Sequence, residues 1–197
     1  NRISASTDLS VGTTAIDTNA LALTDASLTS TGKTTLAVAG GTRLAGSALV
    51  AGTDLAVSAA SLLDTASASG MANNNLRRAG GALSLAVGDG ASLGATHWSA
   101  AGAWNGTFGN LVTTGATQLY SGNGTLIASA DKGDLALGLA ALQSAGNMAL
   151  SATGQISTAA GTGQGVQSLG GNLSLTAGNG ISNAGTVSAD KGAVRVR

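Results

Sequence analysis

The stretch Gly171-Asn172-Leu173-Ser174-Leu175-Thr176-Ala177-Gly178-Asn179-Gly180-Ile181-Ser182-Asn183-Ala184-Gly185 decides the fold. Leu173 and Leu175 alternate with small polar residues, the period of a strand with one buried face. The run then breaks at Gly178-Asn179-Gly180, residue types that favour tight bends. Ile181 opens a second short apolar segment. A strand of three to five residues cannot bury its apolar face alone. Many such strands can, if they stack.

The same phrase recurs along the chain as Leu9-Ser10-Val11, Leu21-Ala22-Leu23, Leu36-Ala37-Val38, Leu55-Ala56-Val57 and Leu83-Ser84-Leu85. It returns as Leu135-Ala136-Leu137, Met148-Ala149-Leu150 and Val194-Arg195-Val196. Successive copies lie 12, 15, 19, 28, 52, 13, 25 and 21 residues apart. A second apolar anchor follows seven of the nine copies, seven to ten residues on, at Leu28, Leu44, Leu62, Leu93, Leu142, Ile156 and Ile181. A turn of roughly twenty residues with three short strands accounts for this, and repeats of that size indicate a solenoid. The expected fold is all-β, a parallel β-helix of roughly 8–10 turns. The steps of 12 and 13 are too short for a whole turn and place the phrase on different sides of the coil. Leu135–Ser144 is the best helical candidate, but its Gly133-Asp134-Leu135-Ala136-Leu137 phrase favours a strand.

Composition agrees. The 197 residues are 43% hydrophobic but only 2% aromatic, so the interior is aliphatic and narrow. Charged residues are 9%, against about 25% in an ordinary soluble domain. There are 31 Gly, no Pro and no Cys, and every acidic residue is Asp. Low charge raises the question of a membrane protein. No run approaches the ~20 apolar residues of a membrane-spanning helix, and a transmembrane barrel needs longer strands and aromatic girdles. Net charge is zero, and the densest basic pair is Arg77-Arg78, so nucleic-acid binding has no electrostatic support. Residues 1–30 hold no basic start followed by an apolar core, so an exported chain would be an internal piece of a longer one.

Residues 94–124 break the pattern. They contain His97, Trp98, Trp104, Phe108 and Tyr120, all the aromatic side chains of the chain. Rings of this size are expected outside a narrow aliphatic coil, in an insertion closed by Asn105-Gly106 and Asn123-Gly124 turns. A second insertion is expected over about 64–80, with Asn73-Asn74-Asn75 and Arg77-Arg78 exposed. The expected organisation is one β-helical segment, 1–197, with these two interruptions.

Residues 171–185 together with Ala189-Asp190-Lys191-Gly192 resemble the repeats of filamentous haemagglutinin, from the exoproteins of bacterial two-partner secretion. That group includes adhesins and contact-dependent inhibition toxins. The resemblance covers most of the chain and fails over about 67–75 and 94–124. It implies a right-handed parallel β-helix, in agreement with the general handedness of parallel crossovers, and a secreted or cell-surface shaft without catalytic activity, extending a binding or toxin-bearing tip. It also implies passage through an outer-membrane partner transporter, a monomeric rod, and a receptor or glycan on a host or target cell. The family's proline-containing secretion motifs are missing here, as is a toxin module.

Candidate sites are few. His97 is the sole histidine, and no Gly-x-Ser-x-Gly elbow accompanies it. Gly32-Lys33-Thr34 ends like a phosphate loop, but Ser27 stands where its first glycine belongs. Gly161-Thr162-Gly163-Gln164-Gly165 lacks the last glycine of a dinucleotide fingerprint. Asp8, Asp54, Asp134, Asn147 and Asn172 share the position before a strand, where local Asx turns are expected, and an Asn ladder if they stack. Asp131, Asp134 and Asp190 give no clear acid pair for glycoside cleavage. No catalytic, cofactor-binding or metal-binding residue is assigned. Trp98, Trp104, Phe108 and Tyr120 are the candidates for partner binding, since aromatics concentrate at contact hot spots. Two rival functions are a carbohydrate-active β-helix enzyme and an ice-binding solenoid; Thr29-x-Thr31 is a nearly isolated threonine pair.

Overall fold

A computed structural model describes residues 2–7, 9–12, 20–66, 75–161 and 165–197. Across these residues the alternating segments form short strands, every pairing is parallel, and no helix is present. The chain winds as a β-solenoid of about 8 turns, with up to three strands per turn on three faces. The first face carries Leu9–Gly12, Thr34–Ala37, Leu126–Ala130, Met148–Ala152, Leu173–Ala177 and Val194–Val196. The second carries Leu21–Thr24, Gly41–Ala45, Leu135–Ala136, Ile156–Thr158 and Ile181–Asn183. Three long strands, Leu55–Thr65, Leu83–Gly94 and Trp104–Thr114, run around the corner between these faces and merge them into one 14-stranded sheet. The third face is a separate 9-stranded sheet that includes Ala48–Ala51, Leu76–Ala79, His97–Ala100, Gln118–Ser121, Ala141–Ser144, Gly165–Ser168 and Thr186–Ala189.

Parallel register stacks each residue on its counterpart, about 4.8 Å away. One inner file of the first face reads Leu9, Thr34, Leu55, Leu83, Trp104, Leu126, Met148, Leu173 and Val194. The third face contributes Leu28, Leu49, Arg77, Trp98, Leu119, Leu142 and Val166. These files merge into one buried cluster running from Leu28 to Leu175. Each fully buried aliphatic side chain contributes about 1.5–3 kcal/mol.

Register explains the uneven spacing of the phrase. Leu21-Ala22-Leu23 and Leu135-Ala136 sit on the second face, whereas the other copies sit on the first. The step of 52 residues holds two turns with disguised first strands, Trp104-Asn105-Gly106-Thr107-Phe108 and Leu126-Ile127-Ala128-Ser129-Ala130. The helical candidate 135–144 is two strands, Leu135–Ala136 and Ala141–Ser144, joined by a turn. The corner between the second and third faces takes a left-handed residue in turn after turn, at Asp25, Gly46, Ala95, Gly115 and Gly138.

The expected insertion over 94–124 is corrected by the structure. His97–Ala100, Trp104–Thr114 and Gln118–Ser121 are ordinary rungs, and Asn105-Gly106 lies within a strand instead of closing a hairpin. Trp98, Trp104 and Phe108 point inward, each at most 1% exposed. The interior has room for them because their neighbours shrink. Gly106 occupies the file position held by Leu85 one turn earlier, and Ala128 and Ala130 follow one turn later. A Cβ on Gly106 would stand 2.6 Å from the Trp104 ring and 2.7 Å from Phe108. Of the second expected insertion, 64–80, Asp64 and Thr65 end a long strand and Leu76–Ala79 is a third-face strand. Residues 67–74 lie outside the described set.

The corner between the third and first faces carries a feature that composition hides. Ser30, Ser121, Ser144 and Ser168 point inward and are buried. Ser121 Oγ donates to Gly102 O (2.8 Å), Ser144 Oγ to Gly124 O (3.0 Å) and Ser168 Oγ to Gly146 O (2.7 Å). These three hydroxyls each bond a corner carbonyl of the preceding turn, whereas Ser30 Oγ donates to Gly32 O of its own turn (2.9 Å). This serine file faces the interior.

The packing around Gly106 makes a direct prediction. Gly106→Ala overpacks the two rings and lowers stability by about 1–3 kcal/mol in urea melts. The triple change Trp104→Leu, Gly106→Leu and Phe108→Val restores the aliphatic file of the preceding rung. It also removes the buried Trp104 Nε1–H, which has no acceptor. It is expected to recover at least the loss caused by Gly106→Ala.

Candidate functional site

The outer face of the 9-stranded sheet carries an open trough of about 1140 Å³ running across the strands, along the coil axis. Its lining follows from the register. One outward column reads Arg78, Ser99, Tyr120, Gln143, Gln167 and Ser188. The neighbouring column reads Leu76, His97, Gln118, Ala141, Gly165 and Thr186. Where the second column shrinks to Ala141 and Gly165, the glutamines of the first rise beside it. Beneath, Leu119, Leu142 and Val166 belong to the buried core, so the floor is rigid.

The trough is lined by planar polar groups joined from rung to rung. His97 Nδ1–H donates to Gln118 Oε1 (2.6 Å). Gln143 Nε2 donates to Gln167 Oε1 (3.4 Å), and Gln167 Nε2 reaches both oxygens of Asp190 at 3.2 Å. Identical amides one rung apart form such ladders naturally. His97 is therefore a strand residue in a hydrogen-bonded column and not a loop histidine. Of the four aromatic candidates for partner binding, only Tyr120 faces outward, half-buried in the trough wall. Trp98, Trp104 and Phe108 are core residues and offer no contact surface.

A second polar constellation lies inside the coil. Asp64 and Arg77 are wholly buried, each in a file otherwise held largely by aliphatic residues: Leu44 and Leu93 flank Asp64, and Leu49 and Trp98 flank Arg77. Arg77 Nη2 donates to Asp64 Oδ1, and Arg77 Nη1 to Ser47 O. Trp98 Nε1–H donates to Asp64 Oδ2 (2.8 Å), and the Arg77 guanidinium lies 5.9 Å from the Trp98 ring centre, a cation–π distance. Burial pushes the Asp64 carboxyl above its usual range, against the attraction of Arg77 and its hydrogen bonds. The same burial lowers the Arg77 guanidinium. Arg77, expected on the surface, is thus a core residue; Arg78 is exposed.

The Asx residues before strands act between turns instead of within local turns. Ala82 N–H donates to Asp54 Oδ1 (2.8 Å), Gln155 N–H to Asp134 Oδ1 (2.7 Å), Asn172 N–H to Asn147 Oδ1 (2.8 Å) and Ala193 N–H to Asn172 Oδ1 (2.9 Å). Each carboxyl or amide oxygen caps the next rung. Asn147 and Asn172 do stack, while Asp134 serves the second face and the others the first. Asp8 lies outside the described residues. Thr34, of the phosphate-loop look-alike, is buried with its hydroxyl 2.8 Å from that of Ser30. Residues 162–164 of the dinucleotide look-alike are not described. Among the described residues no three His, Cys, Asp or Glu side chains gather as a cation site.

The trough presents donors and acceptors on a fixed lattice, while the buried pair has no access to solvent and serves the fold. Asp64→Leu strands the Arg77 charge in the core and is expected to cost about 3–5 kcal/mol. Asp64→Leu with Arg77→Leu removes both charges and is expected to recover most of that loss. A double-mutant cycle in urea checks this, and additive losses would contradict it.

The chain matches no protein-family model, no curated protein and no solved structure.

Proposed function

We propose that this chain is a shaft segment of a secreted bacterial exoprotein, of the kind built from filamentous-haemagglutinin repeats. It spaces an adhesive or toxic tip from the surface of the producing cell. The observation that carries this reading is the single core running the length of the coil. Such a body is a stiff spacer: about eight rungs at ~4.8 Å give a rod near 40 Å long. Its stability sums over neighbouring turns. Turns can therefore form one after another as the chain emerges through an outer-membrane partner transporter. The charge-free run from Leu135 to Ala189, with no Pro or Cys anywhere, suits a chain threaded unfolded. Among the described residues no helix is long and apolar enough to cross a membrane.

A carbohydrate-active β-helix enzyme has the trough in its favour. Glycoside cleavage requires two carboxyl groups flanking the bond. The two outward columns of the trough hold none, and Asp190 beyond them engages Gln167. An ice-binding face calls for a regular threonine file. The outward positions of the first face instead run Thr35, Ala56, Ser84, Asn105, Ile127 and Ala149.

The absence of cysteine offers a clean test. Thr176→Cys places a single thiol on the exposed first face. In intact cells of the producing organism, a membrane-impermeant maleimide is expected to label it fully. Labelling that appears only after lysis would overturn the surface assignment. Pulling the purified chain by its ends is expected to release it turn by turn, with extensions of about 70 Å for a 21-residue turn. A single all-at-once rupture would contradict a turn-by-turn shaft.

A further inference from the structure

We propose that the trough on the third face binds an extended oligosaccharide laid along the coil axis, with Tyr120 as its stacking platform and Gln143 and Gln167 reading its hydroxyls. This adds a binding activity to the rod and stands independently of where the protein resides.

Three features of the trough point to this ligand. The first is shape. From Arg78 to Ser188 the lining column crosses five rung spacings, about 24 Å. The floor drops at Ala141 and Gly165 beside the raised Gln143 and Gln167. The result suits a linear chain and not a compact ligand. The second is chemistry. A carboxamide carries two donor hydrogens and a two-lone-pair acceptor, so it can both give to and take from a hydroxyl. The ladder from Gln143 through Gln167 to Asp190 orients these amides while leaving each with further hydrogen-bonding capacity. The Tyr120 ring supplies a flat apolar body with a polar tip, suited to the C–H face of a sugar and its rim of hydroxyls.

The third feature is what the trough lacks. The strands His97–Ala100, Gln118–Ser121, Ala141–Ser144 and Gly165–Ser168 are each paired on both sides. Their backbone groups are committed to the sheet, so an extended peptide cannot add as a strand and loses its main source of affinity. Arg78 is the sole formal cation in the two outward columns, too little for a nucleic-acid backbone. It provides one site where a carboxylate on an acidic sugar gains an ion pair.

The test uses the purified chain with two probes, cellohexaose as a neutral glucan and hexagalacturonate as an acidic one, in calorimetry and amide NMR titrations. Saturable binding of at least one probe is expected, with shifts confined to the third-face strands. Tyr120→Ala, and separately Gln143→Ala with Gln167→Ala, are expected to weaken it tenfold or more. Thr107→Ala on the first face is expected to leave it unchanged. If only the acidic probe binds, Arg78→Gln is expected to abolish binding. These are surface substitutions, and thermal melts confirm the fold of each variant. No saturation by either probe up to about 10 mM overturns the proposal, as does binding that the trough variants leave intact. Maleimide labelling of Thr176→Cys is unaffected by either result, so this proposal and the shaft reading fail separately.

Discussion

Everything in this molecule depends on the in-register parallel stacking of one turn on the next. Each backbone group bonds to its counterpart in the neighbouring turn, and each side chain sits about 4.8 Å from the equivalent one. No turn buries its apolar face by itself. A substitution is therefore judged by the residues above and below it in its file, not by its neighbours in sequence. The Asx oxygens at Asp54, Asn147 and Asn172 obey the same constraint, each receiving an N–H from the next turn.

The interior tolerates exceptions only when they are balanced within two or three rungs. Trp104 and Phe108 fit because Gly106 separates them and Ala128 and Ala130 lie beneath. Asp64 and Arg77 replace aliphatic residues in two files of the same turn, and Trp98 from the next turn closes the pair. Either charge alone would be stranded without water; together they satisfy most of each other's demand. The two exceptions occupy turns on either side of Leu83–Gly94, so the buried rings and the buried ion pair both lie near the centre of the rod.

The outer surface inherits the same lattice. Because columns repeat at the rung spacing, a glutamine in successive turns becomes a ladder without further design. The trough on the third face arises from two adjacent columns, one narrowing to Ala141 and Gly165, the other carrying Gln143 and Gln167. Its residues lie more than a hundred positions apart at the extremes, Leu76 to Ser188, yet they form one continuous strip.

The solenoid was legible in the chain itself, because alternation of Leu, Val and Ile with small residues records which side of a short strand is buried. Those residues specify strands too brief to stand alone, and hence stacking. The phrase could not say which face each copy occupies, since the first and second faces place the same demand on side chains. Nor could it place Trp98, Trp104 and Phe108. Their size argued for the outside, and only the register showed Gly106 and the alanines giving up the needed volume. Arg77 beside Arg78 read as a solvated pair; that one faces Asp64 and the other the solvent follows from pairing across the 28-residue turn. Local periodicity determined that the chain coils. Which residues meet, and so where the trough lies, was decided by inter-turn alignment, a relation between distant positions that local sequence does not encode.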